Sequence, residues 1–202
     1  MSKLPAKFYE REDVLTISRE LLGKVLYTQF DDNLTSGIIV ETEAYAGKTD
    51  RASHAYEGKR TQRTKVMYAS GGTAYIYLCY GIHHLFNVVT NKKNIPHAVL
   101  IRAIEPIEGM DIMLKRRNMK KLLPKLTAGP GILSQALGIS INNSGVSLLN
   151  NSIWIEKSDN NYPFGDFKII SSPRVGCQYA GEDAKNTWRF KIEGNSWVSS
   201  AS

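Results

Sequence analysis

Ile39-Val40-Glu41-Thr42-Glu43-Ala44-Tyr45 places two carboxylates inside a run whose neighbours are those of a buried strand. Ile38, Ile39, Val40 and Thr42 are β-branched, Tyr45 is aromatic and Gly47 follows, a composition that favours a pleated backbone closed by a turn. On a strand alternate residues share a face, so Ile39, Glu41, Glu43 and Tyr45 point one way and Ile38, Val40, Thr42 and Ala44 the other. The second face reads as core. The first carries two acids and a phenol, and these seven residues alone leave two readings of it: a solvated strand face, the commoner place for a glutamate, or a rigid site holding a general base.

Upstream, residues 24–30 read as a strand and Asp31-Asp32-Asn33 as a turn, which makes 36–45 the antiparallel partner and sets the acids in a sheet. Val14, Leu15, Ile17, Leu21 and Leu22 recur at helical spacing, predicting a short helix over 13–22 ended by Gly23. Downstream, residues 47–63 are polar and basic with His54 and Tyr56 among them, the pattern of a long, functional loop. Residues 73–90 alternate, turn at Tyr80-Gly81 and alternate again, as a β-hairpin does. A tyrosine at that tip either lies back on the sheet or wedges between base pairs. Residues 98–105 read as a further strand, and Arg102 within it needs a carboxylate or phosphate partner. A helix is predicted over 108–117 and another over 132–137, with closing strands at 153–156 and 188–192; 140–172 read as loop-rich. Gly129-Pro130-Gly131 ahead of the second helix is either a plain turn or a phosphate cradle.

The composition, 42% hydrophobic and 22% charged over 202 residues, is that of a soluble globule. No apolar run approaches the roughly 18 residues of a membrane span, and the first residues lack the apolar stretch of a secretory signal. Two cysteines, Cys79 and Cys177, are too few for a disulfide framework or a cysteine zinc site, and a cytoplasmic location is expected. The net charge of +7 is concentrated. Lys48, Arg51, Lys59, Arg60, Arg63 and Lys65 outnumber Asp50 and Glu57 in one segment, and Lys115, Arg116, Arg117, Lys120, Lys121 and Lys125 face only Asp111 in another. Such segments suit a polyanion partner or a solvated basic face.

Taken together, Val40-Glu41-Thr42-Glu43-Ala44-Tyr45, His54 with the basic run to Met67, Tyr75-Ile76-Tyr77-Leu78-Cys79-Tyr80-Gly81, Asn87-Val88, Val99-Leu100-Ile101-Arg102-Ala103-Ile104-Glu105-Pro106, Gly129-Pro130 with Gln135-Ala136-Leu137, and Arg174-Val175-Gly176 resemble one family over almost the whole chain. It is that of the alkyladenine (3-methyladenine) DNA glycosylases, which hydrolyse the bond between a damaged purine and deoxyribose without cutting the strand. The resemblance implies that Glu43 is the base that activates water and that Arg102 helps hold that water and the carboxylate. It implies that Tyr45, His54 and Tyr77 wall the pocket of a flipped base, that Tyr80 fills the gap in the duplex, and that Asn87 on the pocket floor discourages guanine's amino group. Lys59, Arg60, Arg63 and Lys65 are expected on the DNA backbone; Lys59 stands where family members have arginine, and Ile82 where vertebrate members have methionine.

The expectation is thus a single α+β domain over residues 1–202: a curved, mostly antiparallel, open-barrel-like sheet with surrounding helices and a protruding β-hairpin. The partner is double-stranded DNA carrying damaged purines, the protein is a monomer, and neither a cofactor nor a metal is needed. A metal-dependent hydrolase using Glu41, Glu43, His54, His83 and His84 is the rival reading, weakened because adjacent His83 and His84 face opposite sides of a strand. A lesion-recognising DNA-binding protein without catalysis is the other rival, since the basic segments and Tyr80 do not require Glu43.

Overall fold

The computed structural model describes residues 2–158 and 167–200, so 159–166 of the loop-rich stretch lie outside the described residues. Eight strands follow one another as β1 (Val25–Phe30), β2 (Asn33–Tyr45), β3 (Ala74–Cys79), β4 (His83–Thr90), β5 (His97–Glu108), β6 (Ile153–Glu156), β7 (Ile169–Ser172) and β8 (Arg189–Ile192). Their spatial order is β3-β4-β5-β2-β1-β6, with β8 on β2 and β7 on β8, and the strand pairs are antiparallel. The result is a curled half-barrel with a few helices against it: α1 (Ala6–Tyr9), α2 (Val14–Glu20), α3 (Met110–Arg116) and α4 (Pro130–Leu137). None of the helices among the described residues is long and apolar enough to cross a membrane.

β2 organises the sheet. One of its edges pairs with β5 from Ser36↔Glu108 to Tyr45↔Ala98. The other pairs with β1 from Asn33 to Ile38 and with β8 from Glu41 to Glu43. Where the partner changes, the ladder is irregular: Ile39 lies opposite Ile104 and Glu41 opposite Ala103, leaving Val40 extra, and Thr42 lies opposite Ile101, leaving Arg102 extra. Such bulges bend a strand and re-aim its side chains, and here they lie on either side of Glu41. They also interrupt the two-residue period: Ile39, expected beside Glu41, packs in the same apolar cluster as Ile38 and Val40.

Ten successive residues of β2, from Thr35 to Ala44, are buried, so neither face is solvated. On the core side Ile38, Val40 and Ala44 belong to one apolar cluster with Ile17 and Leu21 of α2, Val88 of β4, Ile101 of β5, Leu133 and Leu137 of α4 and Phe190 of β8. Burying a side chain of this size contributes roughly 1.5–3 kcal/mol each. The Asp13 carboxylate caps α2 by accepting from the amides of Leu15 and Thr16, and Thr42 donates its hydroxyl to the Ser18 carbonyl, fixing α2 across the acidic strand. β2 begins three residues earlier than the sequence pattern suggests, because Asp31 and Asp32 both take the left-handed backbone that a two-residue hairpin turn demands and Phe30 pairs directly with Asn33. The short β7, within the stretch read as loop, exists because β8 offers it an edge.

Candidate active site

Antiparallel pairing places Arg189, Glu43, Leu100, Asn87 and Tyr75 in one row across β8, β2, β5, β4 and β3. Paired residues share a face, so this row presents an acid, an amide and a phenol along one side of the sheet. That side lines a cavity of about 640 Å³, which Tyr45, His54, Tyr77, Tyr80, Arg63 and Arg102 also reach. Eight of the residues singled out in the sequence therefore meet at one place, although they span positions 43 to 102.

Glu43 is fully buried. Its Oε2 accepts from the Tyr45 hydroxyl at 2.8 Å, and its Oε1 from the Val175 backbone N–H at 2.8 Å, with Arg102 Nη1 at 3.2 Å from the same oxygen. Burial first, and then the neighbouring Glu43 charge, push the Tyr45 phenol well above its usual range, so it stays a neutral donor. Glu41, two residues away and equally buried, is directed elsewhere: Arg102 Nε and Arg189 Nε each donate to its Oε1 at 2.7 Å. Desolvation alone would raise its pKa, but Arg102, Arg189 and the Ser199 amide outweigh that and hold the carboxyl below the ordinary range.

The loop after β2 is tied down by a second buried pair. Arg174 Nη1 and Nη2 donate to the two Asp50 oxygens at 2.6 and 2.9 Å, Asp50 caps the amides of Ala46 and Ala52, and Arg174 Nη1 also reaches the Ala44 carbonyl. The guanidinium lies over the rings of Tyr45 and Trp188, 4.8 and 5.0 Å from their centroids. This clamp positions Val175 against Glu43 and Tyr45 along the cavity.

His54 stands edge-on to Tyr77, with ring centroids 4.6 Å apart, and its Nδ1 is 2.9 Å from the Tyr75 hydroxyl. Arg63 Nη2 lies 2.8 Å from His54 Nε2, and its guanidinium stacks over Tyr77 at 4.5 Å. Arginine can only donate, so Nε2 accepts and the neutral ring carries its proton on Nδ1. The Asn87 amide nitrogen donates to the carbonyls of Tyr75 and Leu85, both at 3.1 Å, which locks the side chain. Tyr80 is 92% exposed, with a backbone φ of 50° ahead of Gly81 at 72°.

Lys59, Arg60 and Lys65 are exposed and do not line the cavity; Arg60 is held by Asn94 and stacks on Tyr68. Arg63, grouped with them by sequence, is turned into the cavity instead. His83 lines the cavity and His84 accepts the Ile141 amide, so the two histidines do face apart. Among the described residues no group of three His, Cys, Asp or Glu side chains is placed to hold a metal ion. Gly129-Pro130-Gly131 borders the cavity, and a Cβ at Gly131 would come within 2.7 Å of the His83 ring, so packing explains that glycine. Sequence reading missed Arg189, Ser199 and Asp50. Arg189 carries the same signal as Arg102, a guanidinium in an apolar strand; the others carry none.

A cavity with aromatic walls, and with a guanidinium beside a buried carboxylate, thus lies on the face of a half-barrel in a basic protein. Residues 7–196 match the family described as Methylpurine-DNA glycosylase (MPG). Three relatives, each named "Putative 3-methyladenine DNA glycosylase", are similar over nearly their full lengths. The protein of Chlamydia felis is 48% identical over 94% of this chain and 95% of its own. That of Bacillus cereus (strain B4264) is 44% identical over 96% and 98%, and that of Clostridium tetani 43% over 98% and 98%. The chain belongs to the methylpurine-DNA glycosylase family, enzymes that act on DNA and hydrolyse an N-glycosidic bond.

Proposed function

We propose that this single-domain, monomeric enzyme flips 3-methyladenine, 7-methylguanine and hypoxanthine out of duplex DNA and hydrolyses the glycosidic bond with water activated by Glu43, leaving an abasic site. The observation that carries this is Glu43 itself: a buried carboxylate fixed by Tyr45, Val175 and Arg102 at the wall of a cavity bounded by Tyr77, His54 and Asn87. A base within the duplex shields its sugar carbon from such a group, so it must leave the stack, at a few kcal/mol and less for a damaged pair. Tyr80 supports the wedge role, because a bulky residue at positive φ is strained by ~1–3 kcal/mol and such strain persists where function holds it.

Alkylation at N3 or N7 makes a purine cationic, and the faces of Tyr77 and Tyr45 attract a cation. The base then departs neutral while positive charge grows on the sugar, as in glycoside hydrolysis. Glu43 takes the proton of the attacking water and stabilises that charge. The Asn87 side chain, locked by its two amide bonds at the cavity, is the group a guanine amino substituent would crowd. Single-turnover release from a duplex carrying 3-methyladenine or hypoxanthine tests the reading: wild type releases base, and Glu43→Gln loses nearly all release while still binding the duplex. Equal rates would sink it.

A further inference from the structure

The family match ends at residue 196, yet the chain beyond it returns to the acidic strand. Ser199 is 7% exposed; its backbone N–H donates to Glu41 Oε2 at 2.8 Å and its hydroxyl to Glu41 Oε1 at 3.0 Å. The same hydroxyl oxygen accepts from Arg102 Nη2 at 3.4 Å and from Arg189 Nη2 at 3.3 Å. Arg102 thus divides its three nitrogens among three partners: Nε to Glu41 Oε1 at 2.7 Å, Nη2 to Ser199, and Nη1 to Glu43 Oε1 at 3.2 Å.

An arginine and a carboxylate left to themselves favour a different arrangement, a fork of two parallel bonds between two nitrogens and two oxygens. Arg102 and Glu41 already share one such bond, through Nε and Oε1. The second would join Nη2 to Oε2, and Ser199 holds both of those atoms, one with its hydroxyl and the other with its amide. Arg102 is thereby kept from turning fully onto Glu41, and Nη1 stays at Glu43. Arg189 contributes by supplying the second positive charge that Glu41 and Glu43 together require; the four buried side chains sum to zero.

We infer that Ser199 is a positioning residue for base excision, acting through Arg102 to keep that guanidinium shared between Glu41 and Glu43. The inference rests on the reading of Glu43 as the water-activating base. Removing the hydroxyl frees Nη2, and Glu41 Oε2, which has a second lone pair beside the one the amide takes, accepts it. The fork closes and Glu43 loses its cationic neighbour.

The test is single-turnover release of 3-methyladenine from a duplex, with duplex affinity and thermal melting measured in parallel. Ser199→Ala slows release about tenfold with Kd changed less than about twofold, Ser199→Thr returns the rate to within about twofold of wild type, and in an Arg102→Gln background Ser199→Ala costs less than about a further twofold, the signature of residues acting as one unit. A Ser199→Ala rate equal to wild type, failure of threonine to rescue, or losses that multiply with those of Arg102→Gln would each overturn the assignment. Should Arg102→Gln not fold, the threonine rescue alone decides. Wild type releasing no base would instead remove the reading of Glu43, whereas an active wild type matched by Ser199→Ala removes only Ser199.

Discussion

His54 sits between two partners with opposite demands: the Tyr75 hydroxyl on Nδ1, and on Nε2 a guanidinium that can only donate. Burial first, and then the Arg63 charge, push its pKa down from 6.5 to about 4. The ring is therefore neutral at pH 7, and the unfolded chain binds a proton between about pH 6.5 and 4 that the folded one refuses. Its contribution to stability is complete above 6.5 and is lost as pH falls towards 4. An NMR titration of the His54 ring should find a midpoint near 4, and Arg63→Ala should raise it; a midpoint near 6.5 in wild type would mean that neither the burial of the ring nor the Arg63 contact holds in solution. None of this could be read locally. A histidine in a basic loop signals a site, but its tautomer is set by Tyr75 and Arg63, residues placed beside it by β3 and the loop after it.

Among the elements, the β3–β4 turn is where folding and function pull apart. The Ile82 amide donates to the Cys79 carbonyl across Tyr80 and Gly81, both left-handed, and tyrosine is a poor occupant of that backbone. Tyr80→Gly should leave thermal stability unchanged or raise it by up to about 1 kcal/mol, while base release from duplex falls well below wild type; a variant that melts lower and excises normally would contradict the wedge. The hairpin, β2 and β5 were legible because alternation and turn residues are local signals. The bulges at Val40 and Arg102 were not, since they arise where β2 exchanges β1 for β8, a partner about 150 positions along the chain. The same distance hid the role of Glu41: Arg189 and Ser199 complete its shell, and no pattern within the acidic strand encodes them.

At the scale of the molecule the two basic segments prove unequal. In the second, Lys115, Lys120, Lys121 and Lys125 are exposed, while Arg116 and Arg117 are engaged in joining α3 to the end of α4, through the Ala136 carbonyl and the Gln135 side chain. In the first, Lys59, Arg60 and Lys65 remain exposed on the loops beside the cavity. Replacing any of these three by alanine should weaken duplex binding similarly for damaged and undamaged DNA and lower the slope of log K against log salt by about one; an unchanged slope would mean that the residue meets no phosphate. The basic composition was plain from the sequence, but which charges are free depended on how α3 packs. Arg63, the fourth of that run, has a further consequence through its stacking on Tyr77. Under the proposed function, a base entering the cavity meets a guanidinium tethered beside it, a competitor at an effective concentration on the order of millimolar. Discrimination would then start with the protein's own side chain, as the first ligand to be outbid.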